Sequence, residues 1–155
     1  IDFLKDHGFL HYEISNFAKE GFQSRHNSAY WEYRPYLGIG PSAHSYDGKE
    51  VRSWNLANNP LYINYLNENT LPKEQEVLSI NDQFNEMLMI GLRTSRGSDI
   101  LVMQEKFSSE MIGKFLQNIQ QKLADGVLII EQNYLKIPEQ HWFMADGIAA
   151  DLFMV

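Results

Sequence analysis

Tyr36-Leu37-Gly38-Ile39-Gly40-Pro41-Ser42-Ala43-His44-Ser45 reads as a short apolar strand over residues 36–40 that stops at a proline. Proline has no N–H to give a ladder, so it marks a strand end. Residues 9–14 read as an earlier strand, opened by the turn at Gly8. Two strands joined by a long connection suggest the last strands of an α/β sheet or barrel. In such folds function collects in the loops past the strand C-termini, here residues 15–23 and 41–46.

Composition sets the outer bounds. The chain has 155 residues, 44% of them hydrophobic and 21% charged, enough apolar material for a core. No apolar run is long enough to span a bilayer, and no basic, apolar leader opens the chain, so the expected location is cytoplasmic. The chain opens on Ile1 in what reads as mid-element, as a piece of a longer protein would. A formal net charge of -7 argues against a bulk electrostatic grip on nucleic acid or an anionic membrane. With no cysteine, this chain offers no disulfide and no thiolate for zinc or an iron–sulfur cluster.

Aromatic residues are uneven: 13 of the 20 fall in positions 1–66. The polar stretch 67–80, with Pro72, is the expected boundary. Beyond it, Phe84, Met87, Leu88, Gly91 and Leu92 recur at helical spacing behind Asn81 or Asp82 as a cap. Ser98 is the expected cap of a short helix. Ser108 or Ser109 should open a longer one that ends at Gly126. Residues 127–130 and 134–137 flank Glu131-Gln132-Asn133 as a hairpin. Ala145, Ile148, Ala149 and Leu152 would share one face of a last helix. This order of helices and hairpin is that of a winged-helix-like unit.

The densest chemical cluster is Ser24-Arg25-His26-Asn27-Ser28-Ala29-Tyr30-Trp31. On a helix, His26 and Tyr30 share a face. An imidazole beside aromatic rings suits a flat, apolar, iron-bearing ligand. The alternative is a half-buried, hydrogen-bonded histidine. Gly38-x-Gly40 permits close backbone approach to a ligand or a tight turn. His44 lacks a second ligand at metal-binding spacing. Glu13 would be costly in a barrel lumen unless paired, with Arg25 or Arg52 as candidate partners. No Ser/His/Asp or Cys/His nucleophile emerges from spacing.

Taken together, Tyr12-Glu13-Ile14-Ser15-Asn16-Phe17-Ala18, then Ser24-Arg25-His26-Asn27-x-x-Tyr30-Trp31, then residues 36–45 resemble the HemW family. Arg52-x-x-Asn55 and Leu123-x-Asp125-Gly126 fit the same pattern. These are radical S-adenosylmethionine (SAM) proteins related to oxygen-independent coproporphyrinogen III oxidase. The resemblance covers essentially the whole chain and implies its C-terminal part. Residues 1–66 would end an incomplete radical SAM (β/α) barrel. Residues 67–155 would be the mostly helical, α+β C-terminal domain of the oxidase-like group, with its small hairpin.

The resemblance further implies a haem chaperone. It would bind haem through His26, Asn27, Tyr30 and Trp31, with His26 on the iron, and deliver it to haem-accepting proteins. Nucleic acid is no expected partner, and membrane contact would come only through a haem acceptor. Ala18 matches a position that contacts SAM in the related oxidase. The family's 4Fe-4S cluster is held by an upstream C-x-x-x-C-x-x-C motif that this chain lacks, so the chain alone should be without radical chemistry, and it offers no catalytic residue. The alternative is an oxygen-independent coproporphyrinogen III oxidase, an enzyme of oxidative decarboxylation.

Overall fold

A computed structural model describes all residues, 1–155. The chain is mixed α/β and separates into two compact units, one of residues 1–31 with 80–155, the other of residues 32–79. No helix is long and apolar enough to cross a membrane.

The first unit opens with α1 (Asp2–Asp6), then β1 (Leu10–Glu13) and β2 (Asn16–Ala18), an antiparallel pair with a bulge between His11 and Glu13. β1 falls within the expected strand over residues 9–14, whereas β2 forms inside the stretch 15–23 that reads as a loop. Three residues that pair only locally leave no run of alternation to detect. Helix α2 (Arg25–Trp31) follows.

Helix α4 (Ile80–Leu92) carries the core of this unit. Its Phe84, Leu88 and Leu92 are fully buried, as the helical spacing predicts. Phe84 meets Phe107 and Phe115 edge-on, with centroids 5.1 and 5.2 Å away. The helix starts at Ile80, ahead of the expected cap, so Asp82 lies in the first turn, where a negative charge suits the helix dipole.

Strand β6 (Ser98–Asp99) was not foreseen. Asp99, not Ser98, caps α5 (Ile100–Lys106), accepting from the Leu101 and Val102 N–H groups at 3.0 and 3.3 Å. The Ser98 hydroxyl instead donates to the Leu88 carbonyl at 3.1 Å inside the core. That contact needs Gly91. A Cβ there would stand 2.2 Å from Ser98 Oγ and 2.8 Å from its Cα.

The expected long helix is broken at Ile119 into α6 (Ser109–Asn118), capped by Ser108, and α7 (Gln120–Ala124). Gly126, at φ 69°, closes it. Strands β7 (Ile129–Glu131) and β8 (Tyr134–Lys136) form the expected hairpin. Gln132 and Asn133 both have positive φ, as a two-residue turn of this hand requires. The sheet order is β6-β8-β7. A 3₁₀ turn (Glu139–Met144) leads into α8 (Ala145–Ala150), which buries Ala145, Ile148 and Ala149.

The second unit is a three-stranded antiparallel sheet, β3 (His44–Tyr46), β4 (Val51–Asn55) and β5 (Lys73–Val77), in that order, with α3 (Asn59–Asn67) between β4 and β5. The expected strand over 36–40 does not form. Tyr36 makes an isolated bridge to Tyr46, with reciprocal N–H···O bonds of 3.0 and 2.9 Å. Gly40, at φ 103°, then ends the extension. A Cβ on Gly38 would lie 2.2 Å from the His44 carbonyl oxygen, so the space this glycine leaves is filled by the chain's own backbone. The polar stretch expected to be a boundary contains β5, whose five residues are all exposed. Exposure on both faces removes the apolar alternation that would have revealed it.

Candidate functional site

Helix α2 begins where the Ser24 hydroxyl accepts the Asn27 N–H at 3.2 Å, a side-chain cap that fixes the start of the His26 turn. One turn on, Tyr30 stands edge-on to His26, with ring centroids 4.9 Å apart and planes at 82°. His26 is exposed, and no hydrogen bond engages either ring nitrogen. Its position is therefore not that of a half-buried, hydrogen-bonded histidine. Tyr30 is 37% exposed. Asn27 and Trp31 are half-buried, and the Trp31 indole N–H is enclosed without an acceptor. A buried donor without a partner is uncommon and costs stability.

The donor set suits haem. An open imidazole can ligate iron, aromatic rings can cover a porphyrin face, and the half-buried Asn27 amide can offer a polar contact at its edge. The chain cannot hold an iron–sulfur cluster in the family's manner, since it has no thiolate. His44 is exposed on β3 and tilted against Trp54 at 6.0 Å.

Ala18 closes β2 and is buried, paired with Leu10. β2 pairs with β1 alone, so its outer edge has no ladder partner.

Glu13 is the best-held charged group near these residues. Its side chain is 1% exposed. One oxygen accepts the Ser15 N–H and hydroxyl, each at 3.0 Å, and the Asn16 amide. The other accepts Arg93 Nε and Nη2 at 3.3 and 3.2 Å. Burial pushes this carboxyl up. The hydrogen bonds from the Ser15 backbone, Asn16 and the Ser15 hydroxyl, with the Arg93 charge, outweigh burial and hold it below the ordinary range. The expected partners were Arg25 or Arg52, and the actual one is Arg93, 80 residues along the chain. Arg52 instead faces Glu76 at 3.8 Å.

His11 was not singled out by sequence. It is buried, stacked on Phe17 at 4.0 Å and edge-on to Trp142 at 4.4 Å. Its Nδ1 faces Glu139 Oε1 at 3.0 Å and its Nε2 the Ile14 carbonyl at 2.9 Å. Hydrogen bonds from Lys5 and from His11 hold the Glu139 carboxyl below the ordinary range, against a smaller effect of burial. Neither Arg93 nor Glu139 lies in a motif, so no local pattern pointed to them.

Comparison with known proteins places this arrangement. Over 99% of its length the chain superposes on 39% of the chain titled "Coproporphyrinogen III oxidase (HemN) from Escherichia coli is a Radical SAM enzyme", with a TM-score of 0.70 and 16% identity. Its fold is thus one found within a radical SAM protein. No family model matches. The "Heme chaperone HemW" of Bacillus subtilis is 34% identical over 81% of this chain and 33% of its own length. That of Lactococcus lactis is 34% identical over 94% and 36%. The mitochondrial "Radical S-adenosyl methionine domain-containing protein 1" of Mus musculus is 31% identical over 96% and 36%. The chain belongs to the HemW family. It spans about a third of the length of these relatives.

Proposed function

We propose that this chain is the C-terminal part of a haem chaperone, with α2 as the haem-binding element. The observation that carries the reading is the open His26 imidazole, flanked by Tyr30 one helical turn on. His26 ligates the iron of the haem cargo, Tyr30 and Trp31 cover the porphyrin, and Asn27 contributes a polar edge contact. Haem-accepting proteins are the partners, in the cytoplasm. Similarity to proteins named heme chaperone supports this.

Residues 1–66 are read as the end of an incomplete radical SAM barrel, and residues 67–155 as the oxidase-like C-terminal domain. A winged-helix-like core is supported by the order α4, β6, α5, α6, α7, β7, β8. In the full-length protein a 4Fe-4S cluster on upstream cysteines would supply an electron to SAM, and Ala18 at the end of β2 would contact SAM.

The test is to assay full-length protein for haem binding and for protoporphyrinogen formation from coproporphyrinogen III. The expected result is stoichiometric haem and no turnover. Sustained decarboxylation would make the oxidase the correct reading instead.

A further inference from the structure

We infer that Arg93 is a positioning residue for the segment from Ser15 to Ala18 and, through it, for SAM. This rests on the reading of Ala18 as a SAM contact.

The argument begins with a charge where charge is costly. Glu13 is among the most fully buried side chains of the molecule and is ionised there. Its two oxygens do different work. One gathers the Ser15 N–H, the Ser15 hydroxyl and the Asn16 amide, which sets the turn between β1 and β2. The other is occupied by two N–H groups of the Arg93 guanidinium. The carboxylate thus converts the position of Arg93 into the conformation of residues 15 and 16, two residues before Ala18.

Arg93 is itself fixed at several points. Its Nη1 donates to Asp146 at 2.6 Å, at the start of α8. Its carbonyl accepts the Ile14 N–H at 3.1 Å, and the Ser95 N–H reaches the Tyr12 carbonyl at 3.1 Å. Glu13 and Thr94 bridge as neighbouring strands do. A hairpin of seven ordered residues would be marginal alone. Here it is docked by backbone bonds and oriented by one side chain from just beyond α4. A lysine could supply the charge, but not two donors from a rigid fork to one oxygen.

The experiment uses full-length protein and its Arg93→Gln, Arg93→Lys and Glu13→Gln variants. SAM affinity is measured by equilibrium dialysis. Haem affinity in the same samples reports that the protein is folded, because neither Arg93 nor Glu13 belongs to α2. Hydrogen exchange of residues 15–18 is followed with and without SAM. We expect Arg93→Gln and Glu13→Gln to weaken SAM tenfold or more, with Arg93→Lys between them and the parent. Haem affinity should stay within twofold, and exchange at 15–18 should speed up. The double variant should be no weaker for SAM than either single one, since both break one linkage. SAM affinities within twofold of the parent would overturn the inference. If SAM leaves exchange at 15–18 unchanged in the parent, the Ala18 reading itself falls, and the inference with it. If SAM slows that exchange and the variants still bind normally, only the role of Arg93 falls.

Discussion

Glu13 is the residue at which burial, hydrogen bonding and charge can be weighed separately. Its folded-state pKa is depressed, so it adds stability above the ordinary glutamate value of about 4.3. That contribution is lost as the pH falls through the lower folded value. Replacing it with glutamine keeps the shape but weakens the acceptors, so Glu13→Gln should cost about 1–3 kcal/mol near neutral pH. Urea unfolding of parent and variant across pH 3–7, a range of about four units below neutrality, should show the two curves converging at the acid end. A constant gap would mean the cost is packing rather than charge. Asp99 gives a simpler case. It accepts two N–H groups at the start of α5, and Asp99→Ala should cost about 1 kcal/mol in the same measurement.

At the scale of elements, two glycines in helices predict opposite outcomes. Gly91 of α4 lies against β6, and a methyl there would meet Ser98 Oγ at 2.2 Å. Gly91→Ala should destabilise by about 1–3 kcal/mol through overpacking. Gly113 of α6 has nothing within 4 Å of its would-be Cβ, so Gly113→Ala should stabilise by up to about 1 kcal/mol from helix propensity. Thermal unfolding of both variants checks the pair, and a shared sign would contradict the packing seen here. These elements also show what was legible in the sequence. α4, α6 and the β7–β8 hairpin announce themselves because periodicity, the Ser108 cap and the Gln132-Asn133 turn are local signals. β2, β5 and β6 do not, because two to five residues with polar or mixed faces carry no period. The expected strand over residues 36–40 is absent for a related reason: Gly38 packs against the backbone of His44, and Gly40, at φ 103°, ends the extension.

At the scale of the whole molecule, the same division between local and distant signals holds for the candidate site. His26, Tyr30 and Trp31 lie within one helix, so their geometry follows from spacing. The Glu13–Arg93 and His11–Glu139 pairs join positions 80 and 128 residues apart, and no local reading could have matched them. Three of these four groups are acidic or basic residues outside any motif. Together they fasten the β1–β2 hairpin to the helical core of its unit, across the boundary expected at residues 67–80. The Lys5, His11 and Glu139 cluster should accordingly matter to the hairpin more than to the core. Glu139→Gln should raise hydrogen exchange in residues 10–18 several-fold while leaving α4 protected. Equal loss of protection in both would mean that hairpin and core open as one unit.

The central claim is that His26 is the haem ligand of this chain. Ferric haem titrated into the full-length protein and its His26→Ala and His44→Ala variants, followed at the Soret band, tests it most directly. The account predicts that His26→Ala binds haem tenfold or more weakly, a loss of about 1.4 kcal/mol or more, with its folded circular-dichroism signal intact. His44→Ala should bind as the parent does, since that side chain stands on β3 beside Trp54. Haem binding retained by His26→Ala and lost by His44→Ala would contradict the assignment outright.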